Sequence, residues 1–372
     1  MRIWLLYANA GGGHRKPAEA LAEEIKKQSH GTTEPVLVDI TGPSKLVKHI
    51  LEKGYALSVD HFHGFYKALF EVSKRPLVMR TENHLATKLI GDFFIKKLQK
   101  EKPDKIVAFF YLIRPVREAM HKLGLKIPIT AIVTDPFTSH PFWFLYPEIS
   151  YIVFSPEMRQ EALRAGVPEK NITVTAPIIH PKFTEISTDI DQTKIQKKLG
   201  LPVAKKIVLL IGGGNGLPHG SRAIEELLES RLDAHFAVVC GNNKRLKRNA
   251  EALQAQWGKE KLTVYGFVDF IEQLIAASDV VVGKAGASVM GETLILKKPL
   301  IIVNYIWGQE QGNVDFVVRS KLGVYEPDLK KLPELVKKFL FDEATIRSLK
   351  DAQKNTPVGS GTEAIAKRIL EV

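Results

Sequence analysis

Apolar and polar positions along this chain follow two rhythms that take turns. Short, nearly continuous apolar runs occur at 2–8 (RIWLLYA), 35–40 (PVLVDI), 105–110 (KIVAFF), 128–135 (PITAIVTD) and 151–155 (YIVFS). Between them lie stretches such as RKPAEALAEEIKKQ at 15–28, LIGDFFIKKLQKE at 89–101 and EMRQEALRAG at 157–166, whose apolar residues recur about every 3.6 positions. Unbroken apolar runs of strand length predict strands covered on both faces, and the 3.6 period predicts helices packed against them. Strict strand–helix alternation implies a parallel, doubly wound sheet. The polar stretch 184–205 (TEISTDIDQTKIQKKLGLPVAK) has no strand pattern. After it the alternation restarts with KIVLLIGGGNG, HFAVVCGNN, LTVYGF, DVVVGKAGAS and PLIIVNY. The pattern therefore predicts two doubly wound domains in series, at 1–183 and 206–355, joined by a linker at 184–205; a last helix at 356–372 is expected to pack back on the first domain. The two halves repeat in architecture, without a detectable repeat in sequence.

Several strands run straight into glycine. YANAGGGHRKPAEAL at 7–21 reads as strand, glycine turn and helix, and LLIGGGNGLPHGSRAIEELL and VVGKAGASVMGETL repeat the arrangement. A helix N-terminus offers unpaired N–H groups and the positive end of a dipole, and glycine lets a ligand approach the backbone. The first is not the dinucleotide fingerprint, because its glycines are consecutive, and no P-loop lysine follows it. Ser288 is placed to cap the helix that carries Glu292. Ligands of open α/β sheets bind at the carboxyl ends of the strands, so two such sheets facing each other would form a cleft containing these turns.

Composition narrows the partners. The 372 residues carry 53 Lys and Arg against 41 Asp and Glu, a net charge of +12, which favours an anionic partner: nucleic acid, a membrane surface or a phosphate-bearing substrate. Cys240 is the only cysteine, which excludes an intrachain disulfide and fits a reducing compartment. No apolar run reaches the length of a membrane span, and the first apolar segment is too short for a signal peptide. The stretch 41–100 holds eleven Lys and Arg and five Asp and Glu, mixed with aromatic residues and leucines. That mixture suits the interface of an anionic bilayer, and also an amphipathic helix packed on its own domain.

Other motifs carry less. Asp189 and Asp191 have the DxD spacing of metal-dependent glycosyl transfer, but they lie in the linker and read as solvated charge. His61 and His63 lack further ligands at matching spacing. NNKRLKRN at 242–249 lacks the aromatic interleaving of a nucleic-acid site, and no nucleic-acid partner is expected.

NAGGGHRKPAEAL, VTDPFTSHPFW, TVTAPIIHPKF, VLLIGGGNGL, VVCGNNKRL and GKAGASVMGETLILKKPLIIVNYIWGQEQGN, in this order, resemble the signature segments of monogalactosyldiacylglycerol synthases and bacterial processive diacylglycerol glucosyltransferases. The resemblance spans nearly the whole chain. It implies the GT-B fold, two Rossmann-like domains facing across a cleft. It also implies an inverting transfer of glucose or galactose from UDP-glucose or UDP-galactose to diacylglycerol, with no cofactor and no required metal, by a peripheral enzyme on the cytoplasmic face of the cell membrane. The chain departs from the family pattern at Asn9, Ala176, His180, Ser288–Val289 and Trp307.

The resemblance also assigns roles. His14 would be the general base for the acceptor hydroxyl, since a neutral imidazole suits neutral pH; the bland alternatives are a helix cap or a phosphate ligand. Gly213, Gly214, Gly286, Ala287 and Ser288 would meet the diphosphate, with Lys284 in the same motif. Glu292 would take the ribose hydroxyls, and Phe267 and Val268 would read uracil through the backbone. Gln309 and Glu310 would hold the hexose, Glu310 counting with His14 among the catalytic residues, and Asn313 would shape the turn. Asn9, Gly12, Gly13, Asp135 and His140 would line the acceptor site, His140 being equally open to a structural role. The rival readings are transfer to another lipid such as an undecaprenyl-linked sugar, a UDP-sugar epimerase on the same fold, and a non-catalytic nucleotide-sugar sensor.

Overall fold

The computed structural model describes residues 1–8, 13–44, 46–49, 71–73, 76–188 and 190–371. Asn9 and Gly12 of the first glycine turn, His61, His63, Asp189 and much of the basic stretch 41–100 lie outside the described residues. The chain divides into two compact units. One comprises Met1–His180, Trp307–Gln309 and Ser360–Val372; the other comprises Pro181–Ile306 and Glu310–Gly359.

In the first unit six strands, β1 (Arg2–Tyr7), β2 (Glu34–Asp39), β3 (Lys105–Ala108), β4 (Ile129–Ile132), β5 (Ser150–Val153) and β6 (Ile172–Val174), form one sheet in the order β2-β1-β3-β4-β5-β6. Every pair is parallel. Side chains of successive residues point to opposite faces, so each apolar run supplies two cores. Ile3, Leu5, Val107, Ile132 and Ile152 pack on one face with Leu21 and Ile25 of the helix Arg15–Gln28 and with Ile365 and Ile369 of the helix Thr362–Glu371. Trp4, Leu6, Ile106, Ala131 and Tyr151 pack on the other with Phe94 and Leu98 of the helix Pro76–Glu101 and Val116 of the helix Arg114–Lys122. Burying each such large aliphatic side chain contributes about 1.5–3 kcal/mol.

The chain's last segment returns to this unit and is tied there. Gly361 N–H donates to the Pro177 carbonyl at 2.8 Å, Thr362 Oγ1 donates to the Ile179 carbonyl at 2.8 Å, and Lys105 Nζ donates to the Ile369 carbonyl at 2.8 Å.

In the second unit β7 (Lys206–Ile211), β8 (Ala234–Val239), β9 (Leu262–Tyr265), β10 (Val280–Lys284), β11 (Leu300–Asn304) and β12 (Gly323–Tyr325) form a second parallel sheet in the order β12-β11-β10-β7-β8-β9. Val208, Leu210, Phe236, Val280, Val282 and Ile301 pack on the helices Gly220–Glu229 and Leu332–Phe341. The polar residues expected as a linker carry two helices, Pro181–Ser187 and Gln192–Lys198. Asp191 caps the second through the Lys194 N–H, and Gln192 and Gln196 both donate to the Ala277 carbonyl.

Strand order locates the switch points. The chain steps from β1 to β2 on one side and to β3 on the other, and from β7 to β8 and later to β10. The carboxyl ends of β1 and β3, and of β7 and β10, therefore open the crevices where ligands of such sheets bind. Gly13, the loop 212–216 and Gly286 follow β1, β7 and β10 in the chain.

Candidate active site

At the first switch point His14 occupies the N-cap position of the helix Arg15–Gln28, yet its side chain makes no cap hydrogen bond. The ring reaches instead across the sheet edge. Its Nδ1 lies 2.9 Å from Oγ1 of Thr134, in the segment that follows β4. Phe110, just after β3, meets the ring edge-on at 5.0 Å between centroids, and Trp143 packs at 6.4 Å. Burial among these groups pushes the imidazole down to about 4, with a hydrogen bond to the Phe109 backbone working against it. The ring is thus neutral at physiological pH and has a lone pair with which to take a proton. Gly13 is half-buried, and a Cβ placed on it would meet nothing within 4 Å.

The VTDPFTSHPFW segment supplies the rest of this edge. Asp135 Oδ2 accepts from Trp143 Nε1 at 3.2 Å. His140 is buried and caps a short 3-10 turn, Pro141–Phe144, its Nδ1 accepting from the Phe142 N–H at 3.2 Å. A ring nitrogen that accepts from a backbone N–H carries no proton, so the other, Nε2, is the donor to Ser73 Oγ at 3.0 Å. His140 stacks on Phe142 at 4.7 Å, and Phe142 stacks on Tyr111 at 5.0 Å. Both His140 nitrogens make hydrogen bonds within the protein.

At the second switch point the GGGNG loop is a rigid backbone cradle. A Cβ on Gly212 would overlap the Gly216 carbonyl, and one on Gly241, which has φ +56°, would overlap the Gly214 carbonyl. Only glycine fits such approaches. Gly214 accepts from the Asn242 N–H at 2.8 Å, and Gly213 from the Gly216 N–H at 3.1 Å. A Cβ placed on Gly213 or on Gly214 would meet nothing within 4 Å, so their outer faces are open to an approaching group.

Lys284 ends β10 and forms a buried ion pair with Glu310, Nζ to Oε1 2.7 Å, the two side chains being 6% and 10% exposed. The second Glu310 oxygen accepts from the Ile306 N–H at 2.7 Å. The carboxylate expected to hold hexose therefore braces the turn ahead of the helix Gln311–Arg319 in this structure. Beside it Gly286, extended at φ −65° and ψ 140°, is the N-cap of the helix Ala287–Ile295. Ser288 does not cap this helix, contrary to the sequence expectation. It lies inside the first turn, because the extended Gly286 already starts the helix at Ala287. Glu292 is buried one turn further on. Asn313 Nδ2 donates to the Ala285 carbonyl at 2.8 Å, and its buried Oδ1 has no hydrogen-bond partner among the described residues. After β9 the Phe267 side chain is 65% exposed and Val268 is half-buried. Gln309 belongs by its contacts to the first unit, its carbonyl accepting from Thr138 Oγ1 at 2.8 Å.

The structure thus gathers His14, Gly13, Asp135 and His140 at the edge of the first sheet. At the edge of the second it gathers Gly213 and Gly214, and around β10 Lys284, Gly286, Ala287, Ser288, Glu292, Glu310 and Asn313. Two contributors escaped the sequence reading. Thr134 ends the apolar run 128–135, one residue before Asp135, and its place after a strand was the available signal. Gly241, in the CGNN turn after β8, was visible as one more glycine at a strand end. Among the described residues no group of three or more His, Cys, Asp or Glu is arranged to hold a metal ion.

Comparison with known proteins agrees with this layout. Residues 14–179 match the monogalactosyldiacylglycerol (MGDG) synthase family model, and residues 207–368 match that of the glycosyltransferase family 28 C-terminal domain. A probable chloroplastic monogalactosyldiacylglycerol synthase of Nicotiana tabacum is 29% identical over 346 residues, covering 90% of this chain; the chain spans 64% of that protein's length. A processive diacylglycerol beta-glucosyltransferase of Bacillus pumilus is 27% identical over 371 residues, covering 100% of this chain and 94% of that protein. Among solved structures, the UDP-GlcNAc 2-epimerase of Neisseria meningitidis bound to UDP-GlcNAc superposes with a TM-score of 0.65 at 12% identity, covering 100% of both chains. That likeness shows the two-domain Rossmann-like fold alone. With an MGDG synthase region around His14 and a family 28 C-terminal domain around the Lys284–Asn313 motif, this chain belongs to the monogalactosyldiacylglycerol synthase and processive diacylglycerol glucosyltransferase family of glycosyltransferases.

Proposed function

We propose that the protein is an inverting hexosyltransferase that moves glucose or galactose from a UDP-sugar to diacylglycerol at a membrane surface. The observation that carries this reading is the neutral imidazole of His14 at the carboxyl edge of the first sheet. An acceptor hydroxyl needs a base as its oxygen attacks the anomeric carbon, and the neutral His14 imidazole has the lone pair for that task. In a single displacement the acceptor C–O bond forms, the bond to the UDP oxygen breaks, and the hydroxyl proton passes to His14. UDP departs with the bonding pair, and the anomeric configuration inverts.

The leaving diphosphate develops charge that has to be met. Gly213 and Gly214 of the cradle, and Gly286, Ala287 and Ser288 at a helix N-terminus, supply oriented backbone dipoles for it. Lys284, though paired with Glu310, adds a buried positive charge at the end of β10. Glu292 takes the ribose hydroxyls, Phe267 and Val268 the uracil, and Gln309, Glu310 and Asn313 the hexose end. Gly13, Asp135 and His140, with Asn9 and Gly12, shape the acceptor side, His140 through the ring stack it holds.

Membrane contact belongs to the first unit. On the helix Pro76–Glu101 Leu85 is 53% and Leu89 39% exposed, with Lys88, Lys96 and Lys100 exposed beside them. Exposed leucines on a helix that also exposes lysines suit the surface of an anionic bilayer. Among the described residues no helix is long and apolar enough to cross one. We place this contact peripherally, at the cytoplasmic face.

The deciding experiment measures UDP release from UDP-glucose, UDP-galactose and UDP-N-acetylglucosamine, each with and without diacylglycerol in anionic liposomes. Turnover that requires diacylglycerol, with one hexose donor, is the expected result. UDP release that ignores diacylglycerol, or interconversion of the sugar without release, would replace this reading with an epimerase. Binding of UDP without turnover by any donor would point to an undecaprenyl-linked or other lipid acceptor, or to a sensor.

A further inference from the structure

We propose that Thr134 is the positioning residue of the His14 base: its hydroxyl takes the Nδ1 proton of His14 in a hydrogen bond and so directs the Nε2 lone pair at the acceptor hydroxyl. The proposal rests on the reading of His14 as the base, and it concerns which nitrogen acts and what holds it.

The geometry comes from three strands. Thr134 follows β4 and is buried at the sheet edge, its Oγ1 2.9 Å from Nδ1. Phe110, after β3, closes one side of the imidazole, and Trp143 stands 6.4 Å away on another. Trp143 is in turn held by Asp135, the very next residue after Thr134. The dipeptide Thr134–Asp135 therefore works as a two-pronged template, one prong on the imidazole and one on the indole that packs against it. A ring hydrogen-bonded at one nitrogen and packed by two aromatic neighbours keeps one orientation, which is what a base acting over a hydrogen-bond length requires.

The choice of a hydroxyl has a chemical consequence. Where a carboxylate holds a catalytic imidazole, it also stabilises the imidazolium formed as the proton arrives. A threonine holds the orientation of the ring without adding a negative charge. The ring stays neutral in the resting enzyme, and the positive charge it gains in the transition state is met by neutral acceptors, the Thr134 hydroxyl and the Phe109 backbone. The titratable groups around His14 are already engaged. Arg15 on its own helix pairs with Glu19, Asp135 holds Trp143, and His140 is tied to Ser73 and the Phe142 N–H. Tyr7 and Asp39 at the ends of β1 and β2 face Arg15.

The test uses the full chain with Thr134→Val, which keeps the shape and removes the hydroxyl, and Thr134→Ser, which keeps the hydroxyl. Nitrogen-15 NMR of the histidine ring reports the tautomer directly and needs no substrate. The wild type and Thr134→Ser are expected to carry the proton on Nδ1 of His14, and Thr134→Val to lose that single tautomer. In the transfer assay Thr134→Val should lower kcat about ten- to hundredfold, the scale of one hydrogen bond to a group gaining charge, with KM for the UDP-sugar unchanged. Its acid limb should also move, and Thr134→Ser should restore both kcat and the limb. An Nε2-protonated ring in the wild type would overturn the proposal, as would a folded Thr134→Val variant with unchanged kcat and tautomer. If no donor and acceptor pair turns over in the wild type, the transferase reading fails, while the NMR result still decides the tautomer.

Discussion

The two sheet edges meet the same topological opportunity with opposite means. Both glycine turns lie where the chain switches direction across a parallel sheet. The turn at 212–216 is shaped by backbone, with Gly212 and Gly216 too crowded for a side chain, carbonyls bonded within the loop and against Asn242, and a buried Lys284–Glu310 strut behind the neighbouring β10 turn. The segment that follows β1 relies instead on a side chain, that of His14. Gly13 has room around it, and the specificity of the place comes from His14, Thr134 and the aromatic rings about them. A diphosphate is bound well by fixed dipoles, whereas a proton has to be removed by a group whose charge can change. Under the proposed function, the contrast assigns holding of the diphosphate to one edge and removal of the proton to the other.

Substitutions can break that contrast, and the largest effect belongs to His14. His14→Ala should reduce kcat by about 10²–10⁴-fold, the usual effect of a general base, while UDP binding by calorimetry stays the same. A variant with full turnover would remove His14 from the chemistry. Next comes the strut. Lys284→Met leaves a buried carboxylate without its ion-pair partner and should destabilise the second unit by about 3–5 kcal/mol, read in urea unfolding. The double substitution Lys284→Met, Glu310→Met should recover much of that loss, and simple addition of the two single effects would show that the pair is not coupled.

Glycine substitutions sharpen the comparison further. Gly212→Ala should cost about 1–3 kcal/mol through overpacking against backbone that cannot move aside, and should weaken UDP binding at least tenfold. Gly13→Ala should leave thermal stability unchanged within about a degree, since its added carbon meets nothing. Equal losses at both glycines would erase the distinction between the turns.

The smallest effect is one of pH. The His14 value is lowered in the folded chain, to about 4 from an ordinary 6.5. The free enzyme therefore keeps its base neutral, and kcat/KM should stay level from pH 7 to about 5 and fall only as pH approaches 4. The stability effect has the same sign. Above 6.5 neither state binds the proton; between 6.5 and 4 the unfolded chain takes it first, so stability falls with acidification across that window. His14→Asn should flatten that part of the stability profile. An acid limb centred at 6.5 would mean that the ring is not buried as described.

Much of this architecture is legible in the order of apolar runs alone. Every strand expected from such a run appears in its sheet. The two that escaped, β6 and β12, are three-residue edge strands, too short for a run to stand out and paired on one side only. The helices at 181–187 and 192–198 escaped because their faces are mostly polar. What anchors Gln192–Lys198 is a pair of glutamine hydrogen bonds to Ala277, some eighty residues away. Asn9 and Gly12 lie outside the described residues, and their expected acceptor roles rest on the resemblance.

What the sequence determined by itself is what depends on neighbours along the chain. Apolar runs of strand length alternate with a 3.6-residue period, glycines follow strand ends, and His14 directly follows such a turn. Only the tertiary structure decided how distant side chains pair. His14 meets Thr134 across 120 residues, Lys284 places its charge on Glu310, and His140 caps a turn and reaches Ser73. Periodicity carries a residue's secondary structure and the face it presents. The partner of a buried polar group is set by where strand order brings the loops together, and that order is a property of the folded sheet.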